Sequence, residues 1–174
     1  SEEDAMKKTI LGVLVLMLIS SLAQAQTGRE SKGHGYVYFA PGFAAAKGET
    51  GMATAHLGGG GEGFFTRHLG AGADVGYVAP FESFSDGIGT FSPNIVARFK
   101  PKTEENKVEP FVTGGYTLFF RSGTVSGANF GGGVNWWFKE RVGLRFELRD
   151  NVSIPGGDVP TTHFVGFRVG FTFR

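Results

Sequence analysis

The twelve residues from His163 to Arg174 alternate between large apolar side chains and small or charged ones. Valine or phenylalanine takes every odd position from Val165 to Phe173, and glycine, threonine or arginine takes the even positions from Gly166 onward. Successive side chains of a β-strand point to opposite faces, so this segment predicts a strand with one apolar face. Such a strand fits a soluble sandwich, where the apolar face is buried, or a transmembrane barrel, where it meets lipid.

The opposite end of the chain carries the features of a secretory signal peptide. Two lysines precede an apolar run over residues 10–19, and the small residues Ala23 and Ala25 follow it. This pattern predicts cleavage after Ala25, which makes Gln26 the first residue of the mature protein. A membrane anchor is the alternative, but the run is shorter than the roughly 20 residues that a spanning helix needs.

The cleavage site divides the chain into three parts. Residues 1–25 comprise the signal peptide and a short extension before Met6, which we interpret as the natural start. Residues 26–33 are predicted to form a short N-terminal tail. Residues 34–174 are long enough to form one domain.

The composition excludes several classes of function. The chain has no cysteine, so disulfides, thiol chemistry and cysteine metal sites are excluded. Its formal net charge of +1 gives no electrostatic basis for binding nucleic acid. Mean hydropathy is −0.04, an ordinary value for a soluble protein. A β-barrel is compatible with this value, because outward apolar and inward polar residues average to neutral hydropathy.

Eight segments show the alternation expected of strands. They run over residues 34–43, 52–65, 67–79, 88–99, 108–120, 127–138, 141–149 and 162–173. An even number of strands joined by short links predicts an all-β fold, an antiparallel up-and-down transmembrane β-barrel. The first and fifth segments are apolar on both faces, so the sequence leaves their register open.

The links between these segments predict which end of the barrel faces outward. Both termini of an even-stranded barrel lie on the periplasmic side, so links after odd strands are expected to be external. The external links are 44–51, 80–87, 121–126 and 150–161, and the internal links are 66–67, 100–107 and 139–141.

Aromatic residues near the strand ends are predicted to form girdles, because their rings prefer the lipid headgroup zone. The inner girdle would comprise Phe64, Phe65, Phe99, Trp136, Trp137, Phe138, Phe171 and Phe173. The outer girdle would comprise Phe39, Tyr77, Phe81, Phe119 and Phe120.

Several stretches of sequence resemble a known family of barrels. They are Gly58–Glu62 with residues 67–74 after it, Glu109–Tyr116, and Arg145–Asp150. Over residues 34–174 the chain is similar to the eight-stranded outer-membrane β-barrel superfamily of OmpA/OmpX type, in its small standalone form. The resemblance implies a monomer in the outer membrane of a Gram-negative cell, surrounded by lipid and lipopolysaccharide.

The resemblance also has implications for assembly. It implies delivery by periplasmic chaperones to the barrel-insertion machinery, after export through the Sec pathway. In this family a C-terminal aromatic forms the insertion signal, which Val169, Phe171 and Phe173 would carry here. Arg174 follows Phe173, which departs from the usual terminal aromatic.

The charged residues on the inward face form the main candidate site. They are Glu62, Asp74, Glu147, Arg98, Arg145, Arg149 and Arg168. A buried charge without a partner costs several kcal/mol, so these residues are expected to pair with one another. The sequence favours a salt-bridge network that plugs the lumen. An ion path or gate made by the same pairs stays open as an alternative.

Two other patterns have weaker support. Gly58, Gly60 and Gly63 match a dinucleotide-binding spacing, but strand continues on both sides and no helix follows. Their expected role is steric, because eight strands leave little room inside. A metal site could combine His56 and His68 with Glu62 and Asp74, although such residues on barrel strands more often serve as lumen hydrogen-bonding groups. We therefore predict no cofactor, metal or catalytic site.

Two alternatives to a structural and surface-interaction role remain. An outer-leaflet lipid-modifying enzyme would need histidine, serine and an acid at the external rim. The candidates for such a site are His163 with Ser153 and Asp158, and a second loop with Ser83, Ser85 and Asp86. A soluble exported barrel that binds lipid would need an apolar lumen. We expect neither, and predict a barrel that is not an enzyme, with a plugged or narrowly conducting lumen.

Overall fold

The computed structural model describes residues 33–48, 50–99, 107–157 and 159–174. It contains eight strands: β1 Gly33–Ala46, β2 Met52–Phe64, β3 Leu69–Pro80, β4 Ile88–Arg98, β5 Val108–Phe120, β6 Thr124–Trp137, β7 Val142–Ser153 and β8 Thr162–Phe173. Each strand pairs antiparallel with the next, and β1 pairs with β8 to close the barrel. The predicted fold class is therefore confirmed. The predicted signal peptide, and residues 26–32 of the tail, lie outside the described residues.

The links join neighbouring strands in sequence order. We call the end that carries the β1–β2, β3–β4, β5–β6 and β7–β8 links the outer end, and the opposite one the inner end. A single short 3-10 helix, Phe84–Asp86, is described in the β3–β4 link. In the described part of the chain no helix is long and apolar enough to span a membrane.

Side chains alternate between the lumen and the outer surface along each strand. On β4, Phe91 and Ile95 are 40% and 54% exposed, whereas Ser92 and Asn94 between them are 0% and 6% exposed. The outer surface is therefore an apolar wall and the lumen is polar. An apolar surface that extends over the outward face of the strands marks contact with a membrane or a partner rather than with water.

The register of β1 and β5, which the sequence leaves open, depends on polar atoms at the tips of large side chains. Tyr36 and Tyr38 point inward, where each hydroxyl donates to Asp74. On β5, Glu109 and Phe111 point inward and are 2% exposed each. Turning these strands over would place tyrosine hydroxyls and a carboxylate among lipid chains.

Three of the predicted girdle residues lie in the lumen instead. Phe64, Phe119 and Trp137 are 6%, 4% and 5% exposed. Each belongs to a run of consecutive aromatic residues, and neighbouring residues of a strand cannot both face lipid. Their partners Phe65 and Trp136 lie outside at 64% and 45% exposed. The inward rings fill the lumen towards its ends, and Phe119 lies 5.6 Å from Phe164 between ring centroids.

Three strands extend at least three residues further at the outer end than predicted. β1 continues to Ala46 rather than residue 43. β6 begins at Thr124 rather than residue 127, and β7 continues to Ser153 rather than 149. The polar residues in the β6 and β7 extensions suggested loops, but backbone pairing such as Gly127 with Ser153 continues the ladder. The β5–β6 link therefore shortens to residues 121–123. Of the predicted internal link 100–107, residues 100–106 lie outside the described part.

Candidate functional site: charged network in the lumen

Eight buried charged side chains line the lumen in the described residues. The carboxylates are Glu62, Asp74, Glu109 and Glu147, and the guanidinium groups are Arg98, Arg145, Arg149 and Arg168. None is more than 6% exposed. The four negative and four positive charges balance. The network is therefore neutral as a whole when the two buried histidines, His34 and His56, are neutral. All seven residues selected from the sequence lie here, together with Glu109, which was not selected.

Glu147 of β7 is the centre of the network. Its Oε2 accepts a hydrogen bond of 3.0 Å from Arg145 Nε, and its Oε1 accepts one from Arg149 Nε. Arg168 Nη1 of β8 lies 3.8 Å from the same Oε1. Residues 145, 147 and 149 alternate along one strand and so share its inward face. A single carboxylate therefore serves three guanidinium groups.

Arg145 also bonds across the lumen. Its Nη1 lies 3.2 Å from Oε1 of Glu62 on β2, and the same oxygen lies 3.2 Å from Nδ1 of His34. Arg98 on β4 lies 3.8 Å from Glu109, between Nη1 and Oε2, and its Nε donates to the backbone oxygen of Arg67. The Arg145–Glu62 pair therefore connects strands that are not neighbours in the sheet, whereas the Arg98–Glu109 pair joins the neighbouring strands β4 and β5.

Asp74 of β3 forms the second acidic centre. Its two oxygens accept hydrogen bonds from Tyr36, Tyr38 and Asn94, the last at 3.0 Å. Arg168 Nη2 lies 3.4 Å from Oδ1 and Arg149 Nη1 lies 3.8 Å from Oδ2. Several donors satisfy the Asp74 carboxylate, as a buried charge requires.

Aromatic rings cover the flat faces of the guanidinium groups. Arg145 lies between Tyr36 and Phe111, with its Cζ 4.2 Å and 3.9 Å from the ring centroids. Arg168 lies 4.1 Å from the centre of the Tyr38 ring. At the inner end, Arg98 lies 3.5 Å from the centre of Phe64. These cation–π contacts occupy lumen space that water would otherwise fill.

Glycines on β2 make room for this packing. A Cβ built at Gly58 would lie 2.5 Å from the Tyr38 hydroxyl, and one at Gly60 would lie 2.7 Å from Cβ of Asp74. The run of glycines therefore allows a tyrosine and a carboxylate to pack against the β2 backbone.

One small cavity is described in the outer half of the lumen. A cavity of about 10 Å³ is lined by His56, Asn151 and Arg168, among others. Such a volume holds about one water molecule. Arg168 Nε and Asn151 Oδ1 are buried and have no hydrogen-bond partner among the described residues. A hydrated ion is larger than this cavity and would not fit in it.

Sequence reasoning missed His34, Tyr36, Tyr38 and Glu109. The first three alternate at period two on β1, and Glu109 shares the inward parity of Phe111 on β5. The signal was therefore present in the spacing. It was hidden because large apolar residues occupy both faces of these two strands.

The two histidines of the candidate metal site are separated. His56 points into the lumen, where its Nε2 lies 3.1 Å from the Tyr38 hydroxyl and 3.3 Å from Thr90 Oγ1. His68 lies in the β2–β3 link, with Nδ1 3.1 Å from the backbone oxygen of Arg98. Within the described ranges, no group of three or more potential metal ligands is assembled.

The rim residues of the candidate enzyme are also not assembled. His163 Nδ1 lies 2.7 Å from Asp150 Oδ2 on the outer surface. The residues paired with His163 in the sheet are Ala45 and Val152, neither of which is a nucleophile. Ser153 lies on the opposite face of β7 from Val152, and Asp158 is outside the described residues.

The second rim candidate lies in the β3–β4 link. Ser83 donates to Asp86, and Arg121 Nη2 lies 3.0 Å from the same carboxylate. These two contacts lower the pKa of Asp86, with the Ser83 hydrogen bond the larger cause. A lowered pKa suits a salt bridge and is the reverse of what a general base at neutral pH requires.

Comparison with known proteins is consistent with this architecture. A family model described as an outer membrane protein beta-barrel domain matches residues 11–173. No curated protein matches the sequence.

Solved structures share the fold at low sequence identity. Neisserial surface protein A has a TM-score of 0.64 at 15% identity, covering 82% of this chain and 97% of that one. The N-terminal β-barrel domain of Pseudomonas aeruginosa OprF has a TM-score of 0.56 at 16% identity, covering 83% and 100%. Pseudomonas aeruginosa OprG has a TM-score of 0.53 at 14% identity, covering 84% and 97%. At these identities the likeness concerns the fold alone.

Proposed function

Because this chain belongs to the outer membrane protein β-barrel domain family, we propose that it is a barrel plugged by its own charged network, with a structural and surface-interaction role. The strands are 11 to 14 residues long, and a bilayer needs about 9–11 residues of tilted strand. The apolar wall then faces lipid and lipopolysaccharide, and the outer-end links face the cell exterior.

The observation that carries the proposal is the filled cross-section of the lumen. Eight strands leave an interior just wide enough for side chains. Here Arg145 reaches from β7 to Glu62 on β2, is also bonded to Glu147 on its own strand, and lies between two aromatic rings. Opening a path would separate buried charges from their partners, which costs about 3–5 kcal/mol for each broken pair.

The proposal includes no catalytic activity. His163 has no serine among its paired neighbours, and Asp86 is held in a salt bridge. A soluble lipid-binding barrel is inconsistent with the lumen, since that class needs an apolar interior and this one is charged.

Export and assembly complete the proposal. We infer Sec-dependent export with cleavage between Ala25 and Gln26, and insertion as a monomer with the help of periplasmic chaperones and the insertion machinery. Val169 and Phe171 support this, because they are 38% and 49% exposed on the apolar face of β8, which Phe173 continues.

Trypsin treatment of intact cells tests the proposed orientation. Lys47 and Arg121 lie exposed in outer-end links, whereas Lys139 and Arg141 lie exposed in the β6–β7 link at the inner end. We expect cleavage only after Lys47 or Arg121 in intact cells, and cleavage at both ends once the outer membrane is opened. An untouched periplasmic marker protein is the control. Cleavage after Lys139 in intact cells, with the outer links protected, would overturn the proposal.

A further inference from the structure

The β3–β4 loop, residues 81–87, carries two large apolar side chains that the barrel does not bury. Phe81 is 53% exposed and Phe84 is 48% exposed. In a seven-residue loop that faced only water, two such rings would bury little apolar surface and would contribute little to stability. Where this loop lies relative to the barrel wall therefore determines what the rings contact.

The loop is packed sideways against the outer wall. The ring of Phe84 lies 5.4 Å from that of Tyr77, and the Tyr77 hydroxyl donates a hydrogen bond of 2.8 Å to the Phe84 backbone oxygen. Tyr77 shares the outward face of β3 with Val75, so the contact is on the lipid side of the sheet. Gly87 allows the close approach, because a Cβ there would clash with the Tyr77 ring.

Further contacts hold the loop in this position. Arg121 of the β5–β6 link bonds to both the side chain and the backbone oxygen of Asp86, at 3.0 Å and 3.1 Å. Ser83 donates to the same carboxylate. The backbone N–H of Phe81 donates to the oxygen of Ala53 on β2 at 3.2 Å. The loop is therefore braced by β2, by β3 and by the β5–β6 link, and is not free to cover the mouth of the lumen.

The exposed rings continue the apolar wall at its outer edge. Phe120, at the outer end of β5, is 39% exposed, and its ring lies against Gly89 of β4. Gly89 is paired with Tyr77, so Phe120, Tyr77 and Phe84 lie close together on the outward face. Phe81 follows β3 in the same loop as Phe84. We call these four aromatic residues the loop patch. The charged residues Glu82 and Asp86 lie in the same loop, and Arg121 lies in the adjacent β5–β6 link. Apolar rings next to a charged fringe suit the boundary between acyl chains and headgroups.

We propose that the β3–β4 loop is an interfacial anchor, with Phe81 and Phe84 inserted at the acyl–headgroup boundary of the outer leaflet. The lipid is the occupant because the patch is continuous with the wall that faces lipid. The inference rests on the proposed function, which places the wall in the membrane. The anchor fixes the height of β3 to β5 in the bilayer and keeps the β3–β4 loop away from the lumen mouth.

Spin-label accessibility in phosphatidylcholine vesicles tests the anchor. The chain has no cysteine, so single cysteines can be labelled with a nitroxide without removing native residues. Phe81→Cys reports on the loop. Phe130→Cys, at a wall position 59% exposed, reports on the bilayer, and Ser122→Cys, in the adjacent β5–β6 link, reports on water. Oxygen collides preferentially with labels in lipid, and a nickel chelate with labels in water.

We expect the label at position 81 to favour oxygen, as the one at 130 does, and the label at 122 to favour the chelate. Adding Phe84→Ser to the Phe81→Cys protein should shift its label towards the chelate. If labels 81 and 122 are equally aqueous while 130 is in lipid, the anchor is overturned and the patch is a surface for a protein partner. An aqueous label at 130 would overturn both the lipid-facing wall and the anchor.

Discussion

Glu62 of β2 and Arg145 of β7 form an ion pair of 3.2 Å across the barrel interior, between strands separated in the sheet by β1 and β8. Both side chains are 2% exposed. The pair therefore ties together non-adjacent parts of the wall, which backbone pairing between neighbouring strands cannot do. It makes the lumen network part of the stability of the barrel.

Removing one partner of this pair should be costly. Glu62→Gln removes the carboxylate that Arg145 and His34 share, leaving Arg145 with Glu147 alone, and we expect a loss of about 3 kcal/mol in the free energy of unfolding in vesicles. Glu82→Gln, in the exposed β3–β4 loop, should change stability by less than about 0.5 kcal/mol. A double-mutant cycle with Arg145→Gln should recover part of the loss. Strict additivity of the two changes would show that the residues are not coupled.

The two faces of β8 should differ in how much a polar substitution costs in folding free energy. Val169 faces the bilayer, so Val169→Arg should cost roughly 2–4 kcal/mol. Thr172 is buried in the lumen, and Thr172→Ser keeps its hydroxyl and should cost little. Reversible folding into vesicles measures both. Equal costs at the two positions would contradict the assignment of one face to lipid and the other to the lumen.

The glycines of β2 should differ according to what they face. Gly58→Ala puts a methyl group 2.5 Å from both the Tyr38 hydroxyl and the Val75 backbone oxygen, and overpacking of this kind costs typically about 1–3 kcal/mol. Gly63, on the same strand, has no heavy atom within 4 Å of a built Cβ. Gly63→Ala is therefore the matched control and should be close to neutral. A comparable loss at both glycines would exclude the steric role.

The brace on the β3–β4 loop should weaken only in acid. The pKa of Asp86 is lowered from its ordinary value of 3.8, so its contribution is fully present above that value. It should be lost as the pH falls further, through the lowered pKa, when protonation breaks the contact with Arg121. The mobility of a nitroxide at position 81 measures this. In the Asp86→Asn protein the label at position 81 should be equally mobile at every pH. A wild-type loop whose label becomes more mobile near neutral pH would contradict the role of Asp86.

Much of this architecture could be predicted because the alternation of side chains records which face meets lipid. The parity of residues 145, 147 and 149 alone places three network charges on one face. The same rule does not decide between two consecutive aromatic residues, so Phe64 and Trp137 were predicted in a girdle and lie in the lumen. The charge at Glu109 was missed for a similar reason, since β5 has large side chains on both faces.

Other features depend on contacts between distant segments and leave no local pattern. The sideways position of the β3–β4 loop results from Tyr77, Phe84 and Arg121, which come together only when β3 and β5 lie on either side of β4. The ladder that extends β7 to Ser153 likewise depends on its pairing with Gly127. Polar composition at these positions is typical of loops, which is why the predicted strands were too short.

Single-channel recording in planar bilayers tests the central claim most directly, namely that the network closes the lumen. Insertion should first be verified by protease protection of the barrel. The network pairs the four arginines, and the described cavity admits about one water, so we predict no steady ion current through the wild-type protein at neutral pH. Reproducible, stepwise conductance from the inserted wild-type barrel would contradict a plugged lumen.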